Sequence, residues 1–227
     1  MYYLEARRAI VRENILLSIY HLLYDSLGPS HWWPGESPFE ICVGAILTQN
    51  TNWDNVERAI NNLKEKGVLS PEEMYNLSME ELASLIRPAG YFNIKAKRLK
   101  NFLSFLKQEV NMEVERLGDY PLYNLREKLL SIKGIGPETA DSMLLYAFEK
   151  PIFVVDAYTA RIFSRHYLIP EEITYEDLQD FCHQRLDPDV SLYNEFHALL
   201  VRTGKNWCKK KSPRCKQCPL YPLLSIS

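Results

Sequence analysis

The amino-acid sequence predicts an all-α protein, and three observations support that class. Apolar residues recur at helical spacing through most of the chain, for example over residues 15–23. Helix-start signals of the form Ser-x-x-Glu precede further stretches, at residues 37–40, 70–73 and 78–81. Only residues 152–155 look strand-like, and so short and isolated a run has no partner with which to form a sheet.

Two long helices carry specific expectations. The apolar stripe over residues 94–110 predicts a helix whose other face is basic, and Lys95 belongs to that face. Residues 189–202 predict the last long helix, with Gly204 as its stop signal.

The composition limits the classes of function. The chain has 227 residues, of which 46% are apolar, so it can bury a substantial core in one large domain or two small ones. A formal charge of −2 excludes DNA binding by bulk charge, so any nucleic-acid surface must be a local basic patch. Residues 1–12 show no signal-peptide pattern, and no run approaches the roughly 20 apolar residues that span a membrane. We therefore expect a cytoplasmic protein without a membrane partner.

A Gly-x-Gly turn between two helical segments is the first candidate for a functional element. Gly134 and Gly136 can both take positive φ, so the backbone amides of residues 134–138 can converge on an anion. Pro137 suits the first position of the following helix, whose N-terminal dipole favours the same anion. The alternative is an ordinary helical hairpin whose glycines allow close packing.

The turn and a later acid together carry a family resemblance. Residues 129–140, Leu-Leu-Ser-Ile-Lys-Gly-Ile-Gly-Pro-Glu-Thr-Ala, precede a run that ends in Val-Val-Asp156. This order closely resembles the helix-hairpin-helix, Gly/Pro-rich loop and catalytic aspartate of the endonuclease III superfamily of DNA glycosylases. The resemblance implies a two-lobed helix-hairpin-helix DNA glycosylase fold. A six-helix barrel would span residues 37–150, and a second helical domain would combine residues 1–36 and 151–227, with DNA across the cleft.

The resemblance also implies base excision from damaged double-stranded DNA, by a monomer. Asp156 would stabilise the oxocarbenium-like sugar and position or deprotonate the attacking water, although it also suits the N-cap of a helix. The hairpin would contact the DNA backbone, and its carbonyls could hold a monovalent cation. The implied DNA-contacting residues are Lys133, Gly134, Ile135, Gly136 and Thr139, together with Gln49, which matches a loop glutamine that inserts into the duplex.

One departure from the family narrows the reaction. Members that nick the strand carry a lysine nucleophile in the form Gly-x-Gly-x-Lys, and the corresponding residue here is Glu138. A carboxylate cannot form the Schiff base that this step requires. The departure implies a monofunctional enzyme that uses water and leaves an abasic site. Glu138 is kept with Asp156 as a candidate catalytic residue, although it also suits the first turn of a helix.

Aromatic residues define a predicted base pocket. The run Trp32-Trp33-Pro34 and the later Trp53 look most like the 3-methyladenine glycosylases of endonuclease III type. In that resemblance Trp53 stacks on the flipped base and the Trp-Pro segment forms the opposite wall. The base is cationic, and indole faces attract cations by about 0.5–2 kcal/mol. Trp53 could instead pack in the core. The substrate could instead be mispaired thymine, uracil or adenine, and the protein could instead be a non-catalytic DNA-binding module.

Three of the five cysteines lie close together in sequence. Cys208-x6-Cys215-x2-Cys218 matches the first three ligands of the 4Fe–4S cluster in the resembled superfamily, and the expected fourth position holds Leu224. The three cysteines predict a 4Fe–4S cluster with three protein ligands and a labile fourth iron. The alternatives are that no metal is bound or that the end of the chain is truncated.

The same segment is strongly basic. Residues 202–216 contain seven lysines and arginines and no acid, and Lys209 and Lys210 stand at the centre of this stretch. Such residues contact phosphates, so the segment predicts the local DNA-binding patch that the overall charge requires. The alternative is a solvated basic tail.

Overall fold

The computed structural model describes residues 14–32 and 35–224. Two predicted pocket residues, Trp33 and Pro34, and the segment before residue 14 therefore lie outside the described residues. The described chain divides into two compact units. We call residues 35–150 the central unit, and residues 14–32 together with 151–224 the terminal unit.

The regular secondary structure of the described residues is helical. In chain order the α-helices are α1 (Ile15–Leu27), α2 (Pro38–Leu47), α3 (Trp53–Glu65), α4 (Pro71–Asn76), α5 (Met79–Leu85), α6 (Phe92–Val110), α7 (Leu122–Leu130), α8 (Pro137–Tyr146), α9 (Ala157–Arg165), α10 (Tyr175–His183), α11 (Val190–Asn206) and α12 (Tyr221–Leu224). Short 3₁₀ helices span Arg87–Ala89, Val114–Asp119 and Cys215–Gln217. No strand occurs in the described part of the chain, so the all-α prediction is confirmed. None of the described helices is both long and apolar enough to cross a membrane.

Several helices begin where local sequence signals predict. At α2, the Ser37 hydroxyl accepts a hydrogen bond from the Glu40 amide over 3.2 Å. At α5, Ser78 Oγ accepts from the Glu81 amide over 3.2 Å, and Glu81 Oε2 accepts from the Ser78 amide over 2.8 Å. These caps satisfy N–H groups that have no partner within the helix. The predicted starts of α2 and α5 are confirmed.

Helix α2 is the most deeply buried element of the central unit. It packs against α3, α6 and α8, and most of its side chains are buried. The neighbouring α7 and α8 are joined by a bidentate ion pair, in which Arg126 Nε lies 2.7 Å from Asp141 Oδ1 and Nη2 lies 3.1 Å from Oδ2. Asp141 is fully buried, so this pair fixes the two helices of the predicted hairpin relative to each other.

Lys95 corrects one expectation about α6. The sequence places it on the basic face, but the side chain is 1% exposed. Its Nζ donates to the carbonyl oxygens of Leu47 and Ala89, each over 2.8 Å. Burial, with a smaller contribution from the charge of Arg98, lowers the pKa of Lys95 to about 8. Lys95 therefore anchors the C-terminal end of α2 from within the core.

The terminal unit is centred on α11, which packs against α9 and α1. The expected stop at Gly204 is wrong, because α11 continues through Gly204 to Asn206. A Cβ at Gly204 would lie 2.2 Å from Cδ1 of Tyr158 in α9. The glycine therefore permits close contact between two helices instead of ending one of them.

The strand-like run at residues 152–155 is an extended segment without a sheet. The Phe153 amide donates to His183 Nε2 over 2.9 Å, and its carbonyl accepts from Gln179 Nε2 over 2.8 Å. Side chains of α10 thus satisfy backbone groups that a neighbouring strand would otherwise pair. The segment is buried and leads directly into Asp156, which it holds at the start of α9.

Candidate functional site

The glycine turn reverses the chain between α7 and α8, and its two glycines have different roles. Gly134 has φ +100°, a conformation that other residues rarely adopt. A Cβ there would lie 2.5 Å from Cγ of Arg98. Both the backbone conformation and the close approach of Arg98 therefore require glycine at position 134.

Gly136 corrects the expectation that both glycines take positive φ. Its φ is −100° and ψ is 178°, an extended conformation open to any residue. A Cβ at Gly136 would meet no atom of the described chain within 4 Å. Gly136 is the N-cap of α8 and, being glycine, offers no side chain to cap it. The surface beside the start of α8 is therefore open to an approaching group.

Side chains from two other elements support the turn. Gln49 Nε2 donates to the Gly134 carbonyl over 3.1 Å and to Thr139 Oγ1 over 2.9 Å. Gln49 Oε1 accepts a hydrogen bond from Arg98 Nη1, and Asn101 Nδ2 donates to the Lys133 carbonyl over 2.8 Å. The structure thus brings Gln49 to the hairpin and engages both ends of its amide within the protein.

The remaining hairpin residues differ in exposure. Lys133 and Glu138 are exposed, whereas Ile135 and Thr139 are buried. Of these four side chains, only Lys133 and Glu138 present themselves to solvent, so Ile135 and Thr139 can reach a DNA strand mainly through their backbone. The monovalent cation at the hairpin carbonyls stays a prediction.

Asp156 is the N-cap of α9, and its side chain is 11% exposed. Its Oδ1 accepts from the Thr159 amide over 2.7 Å and from Thr159 Oγ1 over 2.9 Å. Its Oδ2 lies 3.6 Å from Nε2 of His197 in α11. Burial opposes ionisation of Asp156, but His197 and the hydrogen bonds from Thr159 outweigh burial and lower its pKa below the ordinary value. The carboxylate is thus held as an anion in a protected position.

Sequence reasoning missed His197. It lies far from Asp156 in the chain, and no motif marks it. Helical periodicity could have indicated that His197 is buried, because it lies on the same face of α11 as Tyr193, Leu200 and Gly204. A histidine on the buried face of a helix needs a polar partner, and Asp156 lies within reach of it.

The two described tryptophans of the predicted pocket belong to different units. Trp53 is the first residue of α3 in the central unit and is half-buried. Its ring approaches Gly44 of α2, where Cη2 would lie 3.4 Å from an added Cβ. Trp32 belongs to the terminal unit, and its amide donates to Ser30 Oγ over 3.2 Å. The outer edge of the six-membered ring of Trp53 therefore lies against α2.

The three clustered cysteines line one cavity of about 170 Å³ in the terminal unit. Cys208 is buried, and Cys215 and Cys218 are half-buried. Burial raises the pKa of the Cys218 thiol, and the nearby Cys208 and Cys215 add to that rise. Within the described residues, no three side chains of His, Cys, Asp or Glu form a group that could hold a single metal ion. The thiols therefore share a wall but do not converge on one point.

The lysine and arginine side chains of the basic segment, residues 202–216, are exposed. The side chains of Lys209 and Lys210 are exposed, and their carbonyl oxygens accept hydrogen bonds from Arg165, over 2.8 Å and 3.2 Å respectively. The backbone of this segment is thus tied to the end of α9, while its lysine side chains remain available to a phosphate.

Comparison with known proteins identifies the family. Residues 43–188 match the HhH-GPD superfamily of base excision DNA repair proteins. The chain is 47% identical over 214 residues to a putative DNA repair glycosylase of Methanocaldococcus jannaschii, with 92% of this chain and 97% of that protein covered.

Two solved structures extend this comparison. The 3-methyladenine DNA glycosylase of Helicobacter pylori, bound to 1,N6-ethenoadenine, is 30% identical with a TM-score of 0.70, over 84% of this chain and 95% of that one. A trapped endonuclease III–DNA covalent intermediate is 23% identical with a TM-score of 0.78, over 90% and 91% of the two chains, and shows the same fold. The chain belongs to the HhH-GPD superfamily and is a base excision repair DNA glycosylase.

Proposed function

We propose that this glycosylase is monofunctional and removes alkylated purines of the 3-methyladenine class by hydrolysis. The observation that carries the proposal is Glu138, which stands where the strand-nicking members of the family have a lysine. The lowered pKa of Asp156 agrees with it, because it keeps this carboxylate negatively charged. Double-stranded DNA with a damaged base is the proposed substrate, and a monomer is the proposed state.

The electrostatics of Asp156 favour one catalytic role over another. Loss of a base leaves an oxocarbenium-like sugar, which a nearby carboxylate stabilises by its charge. A carboxylate with a lowered pKa is a weak general base, because base strength falls with pKa. We therefore assign the main contribution of Asp156 to stabilising the cationic sugar and orienting water, with proton abstraction as the smaller part.

Neither Lys133 nor Lys95 of the central unit suits the role of the missing lysine nucleophile. Lys133 precedes the turn, and its expected role is a phosphate contact. Lys95 has the lowered pKa that a Schiff-base lysine needs. Lys95 is nevertheless unsuited to the role, because it is buried and its Nζ donates to two backbone carbonyls. An exposed carboxylate at Glu138 cannot form the covalent bond, so water is the proposed nucleophile.

The aromatic residues support the choice of base. An alkylated purine such as 3-methyladenine is cationic, and an indole face attracts it more strongly than a neutral base. Trp53, half-buried at the start of α3, is the proposed stacking residue. The likeness to a 3-methyladenine DNA glycosylase at 30% identity supports the same substrate class.

Two surfaces are proposed to hold the DNA backbone. The first is the start of α8 beside Gly136, where the helix dipole and the open space at the glycine suit a phosphate. The second is the exposed basic segment with Lys209 and Lys210. Because the net charge is −2, such local contacts must supply the affinity for DNA.

A 4Fe–4S cluster is the proposed cofactor of the cysteine cavity. Cys208, Cys215 and Cys218 line it together, and Arg165 Nη1 lies 3.3 Å from Cys208 Sγ, so a positive charge faces the thiolates that a cluster needs. Four irons spread their ligands further apart than one ion does, which fits thiols that share a wall without converging. The cluster would fix residues 208–218 and the lysines among them.

Base release on defined oligonucleotides tests the proposed function. Duplexes with 3-methyladenine, uracil or a G·T mispair are incubated with the protein, and strand breaks are measured with and without alkali. We expect release of 3-methyladenine, breaks only after alkali, and no adduct trapped by borohydride. Uracil or thymine release without alkyl-base release would show a different substrate. Breaks without alkali, or a trapped adduct, would show strand-nicking activity.

A further inference from the structure

The cysteine cavity lacks one ligand for a four-iron cluster. Three of its wall residues are thiols, and Leu224, at the position expected for a fourth cysteine, also lines it. A leucine side chain has no donor atom. A cluster in this cavity would therefore need its fourth protein ligand from elsewhere in the wall.

His166 lines the same cavity and carries a donor atom. Its Nδ1 is buried and has no hydrogen-bond partner among the described residues. Buried polar atoms are nearly always paired, so an unpaired ring nitrogen calls for a ligand that the protein itself does not supply. Imidazole is a good ligand for iron, and histidine replaces cysteine on iron–sulfur clusters of other folds.

The backbone fixes His166 beside the thiols. The residue follows α9 directly, and its amide donates to the carbonyls of Ile162 and Phe163, each over 3.2 Å. The preceding Arg165 contacts Cys208 Sγ over 3.3 Å through its Nη1. At the end of α9, Arg165 thus contacts Cys208, and His166 lines the cavity that Cys208 shares with Cys215 and Cys218.

We infer that His166, through Nδ1, is the fourth protein ligand of a 4Fe–4S cluster held by Cys208, Cys215 and Cys218. This inference rests on the cluster proposed above but not on the substrate or on the reaction. A neutral imidazole in place of a thiolate makes the cluster less negative, so its reduction potential lies above that of the same cluster with four cysteines.

Spectroscopy of the whole protein tests the assignment. The chain is purified without oxygen, its iron and sulfide are measured, and the reduced cluster is studied by pulsed EPR. We expect about four irons per chain and a nitrogen coupling that changes when histidine carries ¹⁵N. His166→Cys should keep the iron, lose the nitrogen coupling and lower the reduction potential. His166→Ala should convert to a three-iron cluster on brief exposure to air.

His21→Ala is the matched control, since His21 is exposed on α1 of the same unit and lies outside the cavity. It should match the unaltered protein in iron content, coupling and potential. The assignment is wrong if the iron-loaded protein shows no nitrogen coupling, or if the coupling survives in His166→Cys. It is equally wrong if the purified protein holds zinc or no metal. Base release, assayed in the same preparations, reports separately on the proposed function.

Discussion

Two helices begin at the residues that the sequence singles out, and they begin in opposite ways. Helix α9 starts at Asp156, whose Oδ1 accepts the Thr159 amide over 2.7 Å. Helix α8 starts at Gly136, which has no side chain and leaves open space where a Cβ would stand. One N-terminus is occupied by a carboxylate from the chain itself, and the other is left accessible.

The difference shows how one local element serves two purposes. The backbone amides at the start of a helix attract an anion. Where a side chain of the protein supplies that anion, the helix start holds the side chain in place; where none does, the start can bind an anion of another molecule. At α9 the Asp156 carboxylate is held by its hydrogen bonds to Thr159 and its pKa is lowered, which suits its proposed role beside a cationic sugar. At α8 the open end suits a phosphate from another molecule. The predictions below change one helix start at a time.

Asp156→Asn should have the largest effect. Asparagine caps a helix about as well as aspartate, so folding and DNA binding should persist. The negative charge is lost, and single-turnover base release should fall by about 10²–10³-fold, as when one preorganised electrostatic partner is removed. The matched change is Asp189→Asn, since Asp189 caps α11 in the same way, with Oδ1 accepting the Leu192 amide over 2.8 Å. Unchanged release in Asp156→Asn would rule out a catalytic charge at this position.

The two glycines of the hairpin should respond differently to alanine. Gly134→Ala forces a side chain into positive φ and against Arg98 Cγ, which together should lower the free energy of unfolding by about 2–4 kcal/mol. Gly136→Ala meets neither obstacle and should leave stability within about 1 kcal/mol. It should instead weaken DNA binding, because its methyl group occupies the open space beside α8. Denaturant unfolding and DNA titration measure the two effects, and equal destabilisation by both changes would contradict the distinction.

The helix starts could be predicted from local sequence, whereas the partners of buried polar groups could not. Ser37 and Ser78 satisfy amides three residues away, so four letters of sequence contain the whole interaction. Lys95 is buried because carbonyls of other elements receive its Nζ, and a helical wheel contains no information about them. His197 approaches Asp156 only through the packing of α11 on α9. Residues that meet across elements therefore required the folded structure.

His197→Asn should have the smallest effect at neutral pH and a clear effect in acid. Asp156 has a lower pKa in the folded chain than its ordinary value in the unfolded chain. Its ionised form therefore stabilises the fold above that ordinary value, and the contribution disappears as pH falls through the folded pKa. Without His197, burial is opposed only by Thr159, so the pKa of Asp156 should rise.

The acidic limb of base release should consequently move to higher pH in His197→Asn, with little change in the neutral plateau. Acid should also remove less stability through Asp156 in this variant, because the folded pKa then lies closer to the ordinary value. Base release and far-ultraviolet circular dichroism, each measured as a function of pH, separate loss of activity from loss of fold. His21→Asn, on the exposed face of α1, should leave both profiles in place. If the acidic limb stays where it is in His197→Asn, the limb reports a group other than Asp156, and the histidine acts only in packing.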